Sequence, residues 1–345
     1  MRLSTTPQPR ASTRDDPGHR DRQAPVLHKN PGISVRQVKV AIIGGTGFVG
    51  SYIIDQLIAS DHLVRLLVRS EGLSSIDRTD GCELIEGSVQ DPVALADCLS
   101  GSDAVIYLIG ILREFPSRGI TFEELQFRAV ERVIRLAEEQ GVKRFLLMSA
   151  NGVRPDGTAY QRTKYQAEEA LKSSNRDWTI FRPSVIFGDP RGRMEFCTQL
   201  RRDIIDSPLP APLFFDGLLP VGAGQFELAP VCVEDVAEAF VRTLEHPETI
   251  GRSLQLCGPE RLTWKQILTT IASAVDKTKL MMPAPALAVK TVAALLDGQS
   301  WFPITRDQID MLLQGNVCDT PGAFSQLGID PKRFDEANLA YLRRA

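Results

Sequence analysis

In the stretch AYQRTKYQAE, residues 159–168, a phenol and an amine stand four residues apart as Tyr160 and Lys164. On a helix that spacing puts both on one face. A phenol has a reference pKa of about 10, and a nearby cation favours its ionised form. Together the two could move a proton to or from a carbonyl or hydroxyl substrate. Of the five tyrosines, Tyr160 alone has a lysine at this distance. Ala167 and Leu171 continue the same stripe, so the pair turns toward an apolar interior.

Such a pair is useful only beside a platform, and the upstream sequence reads as one. A short apolar run, Val38 to Ile43, is followed by Gly44, Gly47 and Gly50 in a GxxGxxG pattern, and then by Ile53, Ile54, Leu57 and Ile58 at helical spacing. Strand, glycine turn and helix in that order point to dinucleotide binding. Glycine supplies positive φ and close backbone approach, and the helix N-terminus offers N–H groups to a pyrophosphate. HLVRLLVRS, CELIEGSV, AVIYLIGIL and RFLLMSA read as further strands, with a helix through FEELQFRAVERVIRLAEEQG closed by Gly141. The alternation predicts an α/β fold with a doubly wound parallel sheet. The second strand ends Val68-Arg69-Ser70, where NAD-binding sites usually carry an acid. Arg69 suits a 2′-phosphate and favours NADP(H), while Glu71 keeps NAD(H) as the alternative.

Composition narrows the remaining classes. With 345 residues, 43% hydrophobic and 24% charged, the chain is globular. A net charge of −3 gives no reason to expect specific nucleic-acid binding. Six cysteines form no CxxC pair, which predicts reduced thiols in a cytosolic compartment instead of disulfides or zinc. His19, His28, His62 and His246 make no metal-spaced cluster, and no metal is expected. Neither a GxSxG elbow nor a GK[ST] loop occurs. No apolar run approaches the roughly 18 residues that span a bilayer, so no transmembrane segment is expected. Residues 1–37 hold seven basic and three acidic residues and few large apolar ones, and read as a disordered basic tail. That tail lacks the apolar core of a secretory signal, and its acids speak against a mitochondrial presequence. Glu234 and Asp235 precede an Ala-rich helix and suit its first turn.

The motifs GGTGFVG, Tyr160/Lys164, FRPSVIFG from Phe181 and VCVEDVAEAF from Val231 resemble the extended and atypical short-chain dehydrogenase/reductases of the NAD-dependent epimerase/dehydratase type. The resemblance implies a Rossmann-type fold with a small, mostly helical C-terminal substrate domain. It makes Tyr160 a proton donor or acceptor, with Lys164 holding the nicotinamide ribose and lowering the tyrosine pKa. Arg182, Pro183 and Ser184 would lie by the nicotinamide, and Gly87, Ser88 and Val89 by the adenine. Gly44, Thr46, Gly47, Phe48, Val49, Gly50, Leu108 and Ser149 would complete the cofactor site. The superfamily's polarising Ser or Thr is replaced here by Ala150 and Asn151, leaving Asn151 as the candidate donor to a carbonyl. Ser88 stands in place of an aspartate, and Gln126 and Arg132 in place of asparagines.

Toward the C-terminus, IGRSLQLCGPERLTWKQILTTIASAV resembles the substrate-domain segment of sugar-nucleotide epimerases. FPITRDQIDMLLQGNVCDTPGAFSQLGI resembles the tail of the NAD(P)H-binding accessory subunits of respiratory complex I and their bacterial relatives. This implies a nucleotide-binding accessory or assembly role at a membrane-associated respiratory or quinone-synthesis complex, in the cytoplasm or peripheral at the inner face of a respiratory membrane. The alternative is an NADP-dependent reductase or epimerase using Tyr160. The expected domains are a nucleotide-binding unit at 38–188, rejoined by about 226–245, and a smaller unit from 189–225 and 246–335. Within the latter, 207–220 reads as a loop beside the cleft, with Phe214 and Phe215 as cleft walls or core. Residues 283–298 read as a proline-opened helix.

Overall fold

The computed structural model describes residues 37–75, 81–217, 219–289, 291, 306–318 and 322–344. The expected disordered tail, apart from Gln37, and half of the 283–298 segment lie outside these residues. The first half alternates as the sequence predicts: β1 Lys39–Ile43, α1 Phe48–Ala59, β2 Leu63–Val68, β3 Cys82–Glu86, α2 Pro92–Leu99, β4 Ala104–Tyr107, α3 Ala129–Glu139, β5 Arg144–Met148, α4 Ala159–Lys172 and β6 Asp177–Pro183. The second half holds β7 Ile186–Phe187, α5 Phe196–Leu200, β8 Ala211–Phe215, β9 Glu227–Leu228, β10 Val231–Cys232, α6 Val233–Arg242, β11 Arg252–Leu256, β12 Leu262–Thr263, α7 Trp264–Ala274 and β13 Met281–Pro285. Seven strands form one sheet in the order β11-β6-β5-β4-β1-β2-β3. Every pairing in it is parallel, so the chain winds outward in both directions from β1, as a Rossmann-type α/β fold does.

Alternation along β1 shows how the layers are assigned. Val40 and Ile42 face one side and pack with Ile53 and Leu57 of α1 and Val236 and Phe240 of α6. Ala41 and Ile43 face the other, against Leu95 of α2, Val133 of α3 and Leu171 of α4. A sheet covered on both faces needs strands that are apolar throughout, which is why β1 and β4 are continuous hydrophobic runs. Beside this sheet a separate core gathers Phe187, Phe214, Ile267, Ile271 and Trp264. The Trp264 indole N–H donates to Pro212 O at 2.9 Å, satisfying its one polar atom within that core.

Four expectations are corrected here. Arg252–Leu256 does not belong to the smaller unit: it is β11, paired with β6 at the edge of the main sheet. The 207–220 segment is not all loop, because Ala211–Phe215 is β8, with Phe214 buried and stacked on Trp264. Proline does not open a helix at 283; Met281–Pro285 is β13, parallel to β8, and helix begins only at Ala286. Prolines are tolerated there because β13 is an outer strand of its two-stranded sheet.

The fourth correction concerns the thiols: Cys257 and Cys318 form a disulfide across 61 residues of sequence. Partners so distant in sequence carry no spacing signature, so the reading of CxxC pairs alone could not find them. The argument from cysteine usage to a reducing compartment falls with it. Cys82, Cys98, Cys197 and Cys232 are free, the last three buried. Closing a loop of this size restricts the unfolded chain, and reduction, or Cys318→Ser, is expected to lower unfolding free energy by about 2–4 kcal/mol. Urea denaturation with and without dithiothreitol measures this; coincident curves for oxidised and reduced protein would contradict it.

Candidate functional site

The carboxyl ends of the parallel strands β1 to β6 open onto one edge of the sheet, and the predicted site residues of the first half lie on that edge or on the helices that follow it. At the end of β1 Gly44 takes a φ of 90°. Its carbonyl accepts from Gly47 N at 3.2 Å, closing the turn. A Cβ on Gly50 would lie 2.5 Å from Gly45 Cα, and one on Gly45 would lie 2.5 Å from Leu66 Cδ1. Only hydrogen fits at these two points, so α1 sits hard on the turn. Gly47 caps α1 without a side chain, and the first turn, beginning Phe48-Val49, holds no acid. The N–H groups and positive dipole end there suit an anion.

The residues expected beside the adenine follow β2 and β3. Arg69 is exposed at the end of β2 and pairs with Glu71 at 3.5 Å. Gly87 N donates to Val68 O at 2.8 Å, and a Cβ on Gly87 would collide with Ala94 Cβ at 2.3 Å. The Ser88 hydroxyl accepts from Gln90 N at 3.2 Å. Val89 is buried, and its carbonyl accepts from Arg132 Nη1 at 2.6 Å. Leu108, also buried, donates its N–H to Ile43 O at 2.9 Å, which holds the end of β4 beside the glycine turn.

Helix α4 is placed by a reciprocal cap in which Thr158 accepts from Gln161 N and Gln161 accepts from Thr158 N. Lys164 is buried, and its Nζ donates to Met148 O at 2.9 Å. A Cβ on Gly110 would come 3.4 Å from that Nζ, so glycine leaves the amine room at the end of β4. Burial lowers the Lys164 pKa to about 8, opposed by the charge of Glu168. Tyr160 is partly buried and meets Phe122 edge-to-face, ring centroids 5.8 Å apart. Burial pushes its phenol up to about 12. The expected depression by Lys164 is thus not what the structure gives. Among the described residues the Tyr160 hydroxyl has no hydrogen-bond partner.

The polar residues that would surround a substrate are committed elsewhere. Glu168, fully buried one turn beyond Lys164, accepts from Ser149 Oγ at 2.5 Å and from Arg182 Nε at 2.9 Å. Arg182 Nη2 closes a second contact on the same carboxylate, and Lys172 stands 3.5 Å away. The Asn151 amide donates to Asn316 Oδ1 at 2.9 Å and Val317 O at 2.8 Å, while its oxygen accepts from Gln255 at 3.0 Å. Ser184 Oγ donates to Asn316 O at 2.9 Å, and Pro183 O accepts from Asn151 N at 2.9 Å. Gln161 reaches Gln314 at 3.0 Å. Residues 314–318 therefore lie as a strap on this edge, next to the half-cystine Cys318. Glu168 and Asn316 were not among the sequence candidates; the i, i+4 step from Lys164 to Glu168 was the one available signal.

Residues 44–203 match the family described as NAD(P)H-binding. The chain carries an NAD(P)H-binding domain. It is 25% identical over 307 residues to the mitochondrial NADH-ubiquinone oxidoreductase 40 kDa subunit of Neurospora crassa, covering 87% of this chain and 77% of that protein. It is also 25% identical over 267 residues to the ceramide reductase of Caulobacter vibrioides, covering 77% and 79%. Among solved structures it shares the fold of MoeE5 in complex with UDP-glucuronic acid and NAD, with a TM-score of 0.64, 18% identity and coverage of 89% and 99%. The NAD(P)H-binding domain thus includes both the glycine turn and the Lys164 helix.

With the Lys164 pKa lowered to about 8 by burial, the ammonium form, which is the one that attracts an anionic nucleotide, gives way to the neutral amine as pH rises past neutrality. Affinity for NADH, followed by fluorescence titration, is expected to fall as pH rises from 7 to 9. Lys164→Met should weaken binding at pH 7 by about tenfold and flatten the profile. A profile with the same slope in the variant would place Lys164 out of contact with the nucleotide.

Proposed function

We propose that this chain is a dinucleotide-binding accessory or assembly protein of a membrane-associated respiratory or quinone-synthesis complex, in which the nucleotide is a structural fixture. The carrying observation is that Ser149, Asn151, Arg182 and Ser184 spend their side chains on Glu168 and the 314–318 strap. A carbonyl substrate would have to displace those bonds, and each buried group left unpaired costs about 1–3 kcal/mol. The relation to the 40 kDa subunit of Neurospora crassa NADH-ubiquinone oxidoreductase supports the same reading. Among the described residues no helix is long and apolar enough to cross a membrane, so association would be peripheral, at the inner face of the membrane.

In this reading Gly44, Thr46, Gly47, Phe48, Val49 and Gly50 hold the pyrophosphate by close backbone approach. Gly87, Ser88 and Val89 flank the adenine. Lys164 reaches the nicotinamide ribose, with Leu108 and Pro183 by the ring. Arg69 selects NADP(H), because its guanidinium is exposed at the end of β2 and its present partner, Glu71, is a solvent-exposed carboxylate that holds it weakly. When bound, the nicotinamide supplies hydride chemistry; the chain's own contribution is to bind and orient it.

One observation favours a second reading, an NADP-dependent reductase or epimerase: Tyr160 keeps a hydroxyl without a partner among the described residues, on the helix of Lys164. The relation to a ceramide reductase points the same way. Two experiments separate these readings. Arg69→Ala is expected to weaken NADPH by about tenfold while leaving NADH within twofold; equal weakening of both would remove the 2′-phosphate assignment. Tyr160→Phe is expected to leave NADPH affinity and the recovery of copurifying membrane-complex subunits unchanged. Turnover of bound NADPH by the unmodified chain that disappears in Tyr160→Phe would establish the enzyme instead.

A further inference from the structure

The segment after β7 was expected to open the smaller unit, yet it folds back onto α1. Pro190 to Arg193 make a tight turn closed by Arg193 N on Pro190 O at 2.9 Å. Its two central residues, Arg191 and Gly192, have φ of 50° and 77°. Glycine takes that conformation freely, whereas arginine adopts it at a cost that must be offset by contacts. Those contacts are present. The Arg191 guanidinium lies 3.7 Å from the centroid of the Tyr52 ring and pairs with Asp55 at 2.7 Å. The Tyr52 hydroxyl donates to Asp189 O at 3.0 Å. Tyr52 and Asp55 both belong to α1, so the turn is fastened to the nucleotide-binding helix at three points.

What the fastening achieves is the placement of the next side chain. Arg193 Nε donates to Thr46 O at 2.8 Å, on the glycine turn itself, and Nη1 donates to Arg191 O at 3.1 Å. The guanidinium is thereby held beside the N-terminus of α1, which has no side-chain cap. A pyrophosphate brings two negative charges to that place, and a planar guanidinium matches phosphate oxygens in geometry as well as in charge. We propose that Arg193 is a pyrophosphate-binding residue of the dinucleotide site, delivered from outside the sheet and positioned by Arg191. The inference rests on the nucleotide reading above and adds a ligand from the segment that follows β7.

The test is titration of the full chain with NADH, NADPH and adenosine. Arg193→Gln should weaken NADH and NADPH alike by about 10- to 100-fold, the range for losing a hydrogen bond to a charged group. Adenosine, which lacks the pyrophosphate, should bind the variant and the unmodified chain equally. This sets Arg193 apart from Arg69, whose loss should affect only NADPH. The dependence of NADH affinity on salt should also become shallower in Arg193→Gln. Arg193→Lys keeps the charge without the fork and should bind better than Arg193→Gln; it also serves if the glutamine variant fails to fold. Arg191→Ala, which removes the anchor alone, should weaken both dinucleotides by a smaller factor. Dinucleotide affinity within twofold of the unmodified chain in Arg193→Gln, or an equal loss for adenosine, would show Arg193 to be a strut only. Failure of the unmodified chain to bind either dinucleotide would instead overturn the nucleotide reading itself.

Discussion

The fold turns on one contact between two residues that lack side chains. Gly50, in the first turn of α1, rests on the backbone of Gly45 so closely that a Cβ would fall inside van der Waals distance of three of its atoms. This lets α1 begin directly where β1 ends, with its axis aimed across the edge of the sheet. The adjacent strands, the turn and the helix then share a single geometry, and any larger residue would lift the helix off β2 as well. An uncapped helix end is ordinarily a defect. Here it leaves backbone donors for something else to satisfy.

Away from that point the same edge is unusually self-sufficient. A buried carboxylate is tolerable only with partners, and Glu168 collects Ser149, Arg182 and Lys172. Its negative charge also keeps Lys164 from losing its proton still more readily. The result couples α4, β5 and β6 through one group, and fixes the face on which Tyr160 and Lys164 stand. Asn151 and Ser184 are drawn the other way, toward Asn316. Polar residues that share an edge thus serve two internal networks, one centred on Glu168 and one on Asn316.

Much of this was legible in the residues. The parallel sheet followed from apolar runs alternating with helical periodicity, and the glycine turn from its spacing, because both depend on near neighbours in sequence. Lys164 was found for the same reason. What escaped were relations between distant segments. β11 lies at the sheet edge because β6 offers it a free side, not because of anything in RSLQL. The disulfide depends on where two loops meet, and the strap depends on a single Asn316 reaching Asn151 across 165 positions. Arg193 was missed because a turn after β7 has no pattern of its own; its meaning comes from Tyr52 and Asp55, more than a hundred residues earlier. The tyrosine pKa was misjudged because spacing reports which face a group occupies but not how dry that face is.

The bond between Cys257 and Cys318 has a topological consequence. It joins the loop after β11, the outermost strand of the large sheet, to the strap that lies on the site, and the chain between them includes β12, α7 and β13. That stretch is therefore a closed covalent ring. A single break in its backbone would separate nothing: both new ends would stay on one molecule, and Trp264 would remain tethered to its core. The smaller core and the strap are in this sense two parts of one covalent circuit, so the edge beside Lys164 is tied by bonds, as well as by packing, to the second core.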